Sequence, residues 1–216
     1  KGTKFAVPGG YIKGGDLAGY KPITSFNDAY FRDGVQESVK HAWYKGGKGA
    51  LHPYKGETIP QYTDFQDNGK YSWVKSPTFY GDTVQVGPLA RVLAWAAAKY
   101  EPGLRHLNRV IGMAESIAKT KIPLDALHST IGRHAARAVV CGSMVENLQQ
   151  QWQLLVDNIG RGDTKTFNRP EFPKGEVSGF GFHQAPRGML SHWIVIDKGE
   201  PVYRPGREPR PHPHPG

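Results

Sequence analysis

Pro186-Arg187-Gly188 is the stretch best suited to chemistry in this chain. Proline fixes φ ahead of the arginine, and the glycine after it allows backbone angles closed to other residues. An arginine held in such a bend can aim a permanently charged, planar donor group into a cavity. The alternative use of the same side chain is a buried structural cation paired with a carboxylate. Gln184, two residues before the proline, is an amide and not a titrating carboxylate. His183 can relay protons or simply pack, and its residue type favours packing. Cys141 is the one cysteine, so no internal disulfide and no thiolate-rich metal site can form from this chain alone. Nine histidines are present but they form no ligand cluster. His212 and His214 alternate with prolines, which favours a stiff extended backbone over a metal site. No residue is therefore assigned as a metal ligand.

The elements that must position Arg187 follow from periodicity. Ser191 to Asp197 alternates polar and apolar, the pattern of a half-buried strand, and Lys198-Gly199 suits a hairpin turn. Three helices are predicted in the middle of the chain. The first covers 89–100 behind Gly87-Pro88, and the second covers 104–119 after an interruption at Pro102. The third runs from 124 to 159 and ends at Gly160 and Gly162. Its apolar residues Cys141, Met144, Val145, Leu148, Trp152, Leu155 and Ile159 recur at helical steps and predict one buried face. Leu127, Ile131, Ala135 and Ala138 extend it. Small residues at Gly132, Ala135, Ala136 and Ala138 would let another helix approach closely. Such a helix would be roughly 50 Å long at the usual rise.

Residues 1–80 are rich in glycine, proline and aromatics, and read as long ordered loops with short strands near 51–56, 62–65 and 71–75. Residues 35–43 fit a short helix or a strand. Residues 163–181 return to loop. The predicted fold class is mainly α with small antiparallel β elements (α+β), built on a long-helix bundle. The organisation is one domain over 1–203 and a Pro/Arg-rich tail over 204–216 that cannot sustain sheet pairing.

Composition narrows the function classes. With 216 residues and 38% hydrophobic content the chain can bury a sizeable core, and it has no apolar run of bilayer length. The formal charge of +9 is spread thinly between glycines and aromatics. That is a solvated basic surface and not the concentrated patch of a nucleic-acid binder. Lys1-Gly2-Thr3-Lys4 carries neither a start methionine nor a signal-peptide pattern, and reads as an internal cut.

Five stretches carry a resemblance in sequence order. They are His52-Pro53-Tyr54-Lys55-Gly56-Glu57-Thr58, Tyr71-Ser72-Trp73-Val74-Lys75-Ser76-Pro77, Val86-Gly87-Pro88-Leu89-Ala90-Arg91, Ser129-Thr130-Ile131-Gly132-Arg133-His134-Ala135-Ala136-Arg137, and Gln184-Ala185-Pro186-Arg187-Gly188 with Ser191-His192-Trp193. From about residue 22 to 203 the chain resembles the large subunit of nickel–iron hydrogenases.

The resemblance implies an oxidoreductase that oxidises or evolves dihydrogen at a nickel–iron centre bearing carbon monoxide and cyanide. Arg187 would be the catalytic arginine over that centre, with Ala185 and Pro186 lining the cofactor. The implied partner is an iron–sulfur small subunit, and the implied location is the periplasmic side of the cytoplasmic membrane. In this family four thiolates, one Cys-x-x-Cys pair near each end of the subunit, hold the metals. Neither pair is present here, so the chain is expected to be an incomplete part of the subunit, inactive alone. The match ends near Tyr203. Arg91, Arg133 and Arg137 could pair with carboxylates or with the loop bearing Arg187, and a structural ion pair is the expected use. A cofactor-free relative, the quinone-pocket subunit of respiratory complex I, is the second reading, because it too lacks the cysteines.

Overall fold

The computed structural model describes residues 5–46, 49–56, 59–66, 69–171 and 174–201. Along the chain run β1 (Gly9–Ile12), β2 (Tyr20–Ile23), α1 (Ala29–Gly34), β3 (Val35–Ser38), β4 (Ala50–Leu51), β5 (Ser76–Phe79), α2 (Pro88–Ala97), α3 (Glu101–Ala118), α4 (Thr130–Gly160), β6 (Val177–Ala185), β7 (Gly188–Asp197) and β8 (Glu200–Pro201). This is the expected helix-rich fold with small sheets. The tail at 204–216 lies outside the described residues. The chain forms two compact units. One comprises Lys1–Asp28, Gln85–Pro170 and Phe182–Leu190; the other comprises Ala29–Val84, Glu171–Gly181 and Ser191–Gly216.

The first unit is built on α2, α3 and α4. Pro88 occupies the first turn of α2, where its missing N–H costs nothing, and Gly87 ahead of it has φ 103°. Leu89, Val92, Leu93 and Trp95 of α2 are buried with Leu107 of α3, Leu127, and Ala136, Val139 and Val140 of α4. Lys99 turns the chain in the left-handed region at φ 53°. α3 then begins at Glu101, three residues earlier than periodicity predicted. Pro102 therefore opens this helix instead of interrupting, for the same reason that Pro88 opens α2. Gly103 lies against Trp95, where an added Cβ would come within 2.6 Å of the indole ring. The antiparallel β1–β2 pair, with Gly9 opposite Ile23, belongs to the same unit.

The long helix differs from expectation in start and in face. Leu124–His128 is a 3-10 turn, and Ser129 interrupts it with extended backbone. The Ser129 hydroxyl accepts from the Gly132 amide at 3.0 Å and donates to the Ala126 carbonyl at 2.7 Å. It closes one element and caps the next. α4 thus has 31 residues and a length of about 46 Å at the usual rise.

Its buried residues are Gly132, Ala136, Val139, Val140 and Ser143, and Ala136 is wholly inaccessible. The stripe of Ile131, Cys141, Val145, Leu148, Trp152, Leu155 and Ile159 is exposed, with Ile131 at 82% and Trp152 at 65%. Two apolar faces compete along this helix, and the face bearing the small residues wins. Gly132 and Ala136 permit the closest approach; an added Cβ on Gly132 would lie 2.3 Å from the Leu127 Cα.

In the second unit, β3 lies between β4 and β5, pairing antiparallel with both. Residues 35–38 of the ambiguous 35–43 stretch are therefore a strand. Of the stretch expected at 51–56 only Leu51 lies in a strand, β4, and the strands expected at 62–65 and 71–75 are absent. Their rings instead surround Trp43, with Tyr62, Phe65 and Trp73 in edge-to-face contact at centroid distances of 4.9, 5.5 and 5.3 Å. Ring packing took the place of a ladder there.

β6 extends into the segment expected to be loop, because the Gly-Phe-Gly-Phe alternation of residues 179–182 hides a strand behind small residues. β7 begins at Gly188, three residues ahead of the predicted start. The Lys198-Gly199 turn is as expected: both residues have positive φ (52° and 81°), and Asp197 pairs with Glu200 across it.

Candidate functional site

Pro186 and Arg187 form the two-residue turn between β6 and β7. Gly188 follows, and its backbone is not in the left-handed region. The expectation that it supplies unusual angles is corrected: the glycine is needed for space. A Cβ there would come within 2.7 Å of the Val86 Cγ2. Gly87 is constrained in both ways, since its φ is 103° and its own added Cβ would lie 2.8 Å from the Arg187 carbonyl oxygen. The loop entering α2 is thus packed against the turn at two successive residues.

One turn further into α2, Arg91 completes the contact. Its Nη2 donates to the Ala185 carbonyl at 3.1 Å and more weakly to the Gln184 carbonyl at 3.5 Å. Arg91 is half-buried, and burial pulls its guanidinium below the usual arginine range. Its Nε is buried without a partner, and among the described residues no carboxylate pairs with it. Of the two uses open to Arg91, the structure selects the one on the turn and not the expected ion pair.

Arg187 itself is exposed, and among the described residues it forms no ion pair or side-chain hydrogen bond. It is not a buried structural cation. Ala185 is half-buried, with its carbonyl engaged by Arg91, and Pro186 is exposed at the bend. His183 is exposed and not packed; Gln184 is half-buried. Arg133 and Arg137 share the exposed side of α4, and Arg137 contacts the His134 Nδ1 at 3.3 Å. Among the described residues neither forms an ion pair with a carboxylate or a hydrogen bond to the turn.

Two of the sequence motifs meet in the second unit. His52 and Tyr54 stand edge-on to Trp193 at centroid distances of 5.0 and 5.1 Å, and Phe180 stacks on it at 5.0 Å. The His52 Nε2 also lies 2.9 Å from the Arg32 carbonyl oxygen. The His-Pro-Tyr motif thus braces the strand that follows the turn. Sequence alone placed these motifs in order and carried no signal that they touch.

A nickel–iron centre of the kind the resemblance implies needs four thiolates. Cys141 is exposed on α4, and no group of three or more His, Cys, Asp or Glu side chains among the described residues could hold a metal. The donor set present does not fit that centre. What this arrangement offers is a fixed turn presenting an unneutralised planar cation.

The family model for nickel-dependent hydrogenase matches residues 1–202. The chain belongs to this family. It is 48% identical to the hydrogenase-2 large chain of Escherichia coli over 200 residues, which is 92% of this chain and 35% of that one. The quinone-reactive Ni/Fe-hydrogenase large chain of Wolinella succinogenes is 32% identical over 217 residues, covering 91% of this chain and 35% of its own length. Among solved structures, the [NiFeSe] hydrogenase of Desulfomicrobium baculatum superposes with a TM-score of 0.64 at 24% identity, covering 91% of this chain and 36% of that one. That likeness establishes the fold. This hydrogenase-family chain spans about a third of the length of the relatives it matches. No helix among its described residues is long and apolar enough to cross a membrane.

Proposed function

We propose that this chain is part of the large subunit of a nickel–iron hydrogenase that oxidises or evolves dihydrogen, with Arg187 as its catalytic arginine. The observation that carries the reading is the exposed Arg187 guanidinium, held on a clamped two-residue turn with no carboxylate among the described residues taking its charge. A charged group left without a counter-ion in a preorganised position is available to a reaction. Ala185 and Pro186, on the turn's short, apolar side, would line the cofactor. In the intact subunit a nickel–iron centre with carbon monoxide and cyanide ligands would supply the redox chemistry. Its cysteine ligands would come from the part of the relatives' length that this chain does not cover, so the chain alone is inactive. An iron–sulfur small subunit would take the electrons. The quinone-reactive relative supports association with the cytoplasmic membrane, and the periplasmic side of it is part of the proposal.

The test replaces the matching segment of the E. coli hydrogenase-2 large chain with residues 1–202. Nickel content and hydrogen oxidation are then measured with and without Arg187→Lys. The parent chimera is expected to load nickel and oxidise hydrogen. Arg187→Lys keeps the charge and loses the planar fork, so it should retain the metal and lose at least about tenfold in turnover, roughly 1.4 kcal/mol. A nickel-loaded chimera without hydrogen turnover would sink the functional reading. Unchanged turnover in Arg187→Lys would remove its catalytic role, and loss of nickel would make Arg187 part of cofactor assembly.

A further inference from the structure

We propose that Arg91 is a positioning residue for Arg187, and that Val86-Gly87-Pro88-Leu89-Ala90-Arg91 is the seat on which the Arg187 turn is set. The assignment rests on the proposed role of Arg187 and adds a residue that touches no reacting atom.

Three points of the seat engage the turn. Arg91 donates to the carbonyls of Ala185 and Gln184, the two residues ahead of Pro186. Gly87 lies against the Arg187 carbonyl, so closely that a Cβ would intrude to 2.8 Å. Val86 lies against Gly188, where a Cβ would come within 2.7 Å. Pro186 has its φ fixed by its ring. With the carbonyls before it pinned and the Arg187 carbonyl hemmed in, the backbone from which the Arg187 side chain departs has little freedom. The seat itself is rigid, because Leu89, Val92, Leu93 and Trp95 of the same helix are buried in the core. A functional side chain held to a fraction of an ångström needs such a support.

The chemistry of Arg91 fits this use. A half-buried cation without a carboxylate is costly to keep. Its hydrogen bonds to two adjacent backbone carbonyls are charge-assisted, and these are stronger than neutral ones. A guanidinium can present two N–H groups to neighbouring oxygens in one plane, whereas an ammonium offers a single point of charge. Arg91 therefore acts through the turn.

The experiment uses the chimeric large chain described above, assembled as the holoenzyme, with Arg91→Gln and Arg91→Lys made alone and with Arg187→Lys. Arg91→Gln is expected to keep nickel within about twofold of the parent and to lose at least about tenfold in hydrogen turnover. Because it acts through Arg187, its added cost in the Arg187→Lys background should shrink to less than about threefold, the non-additivity expected of coupled residues. Peptides covering residues 184–188 should exchange amide hydrogen at least about tenfold faster in Arg91→Gln, with Arg91→Lys in between.

Losses that multiply in the double variant, loss of nickel, or unchanged exchange at the turn would each overturn the proposal. If the parent chimera oxidises no hydrogen, the hydrogenase reading fails, and the exchange measurement still decides whether Arg91 holds the turn. Should Arg91→Gln not assemble, Arg91→Lys is read by the same criteria. If neither assembles, Arg91 is a folding residue and the proposal falls.

Discussion

Gly188 has an ordinary backbone and a crowded Cα, and the distinction predicts how it responds to substitution. An alanine there would not be strained in φ; it would collide with Val86. Overpacking of this kind costs about 1–3 kcal/mol. The low end applies here, since Val86 is 49% exposed and has room to move. Gly188→Ala should therefore lower the unfolding temperature of the intact subunit, and adding Val86→Ala should restore most of the loss. Failure of Val86→Ala to rescue would show that the glycine serves backbone freedom after all. Gly87 should behave differently, because its φ of 103° strains any other residue whatever space is made around it.

The elements of the first unit begin and end where single side chains say they must. Ser129 separates the 3-10 turn from α4 by accepting from the Gly132 amide and donating a hydrogen bond to the Ala126 carbonyl. Removing that hydroxyl leaves a helix N-terminus uncapped. Ser129→Ala should cost about 1 kcal/mol. It should also speed amide exchange over the first turn of α4 while leaving the second half of the helix unchanged. If exchange rises equally along all of α4, the cap is not what starts this helix. Asp or Asn at the same position should preserve most of the protection, since either side chain can accept from the same amide.

For the whole molecule, the decisive fact is an apolar stripe on α4 left exposed among the described residues. Val145, Leu148, Trp152, Leu155 and Ile159 are all roughly half exposed or more, over a helix more than seven turns long. A contiguous apolar surface of that kind promotes association. The isolated chain should therefore self-associate, as read by light scattering across a concentration series. Leu148→Lys with Trp152→Glu should suppress this with little loss of secondary structure, because neither side chain is in the core. A monodisperse isolated chain would count against the reading. The same preparation, co-expressed with hydrogenase maturation factors, should contain no stoichiometric nickel or iron. One exposed cysteine cannot replace four thiolates.

Sequence by itself determined the helix-rich class, the Lys198-Gly199 turn, the N-terminal proline of α2, the bend at Arg187 and the lack of a thiolate site. Each of these depends on a residue's own covalent limits or on a short-range pattern: a ring that fixes φ, a glycine free to take positive φ, a residue type that is absent. The family was legible as well, because motif order survives without any knowledge of contacts. Tertiary structure decided the rest. Periodicity marked α4 as amphipathic, but it could not choose between two apolar faces. The choice went to Gly132, Ala136 and Val139 because only small residues let neighbouring elements close in. Pattern also could not distinguish a glycine needed for its angles from one needed for its size, which is why Gly188 was misread. It favoured a carboxylate partner for Arg91, since 93 and 94 residues separate that side chain from the carbonyls it holds. Contacts across such separations are set by how helices and hairpins pack, and no local spacing encodes them.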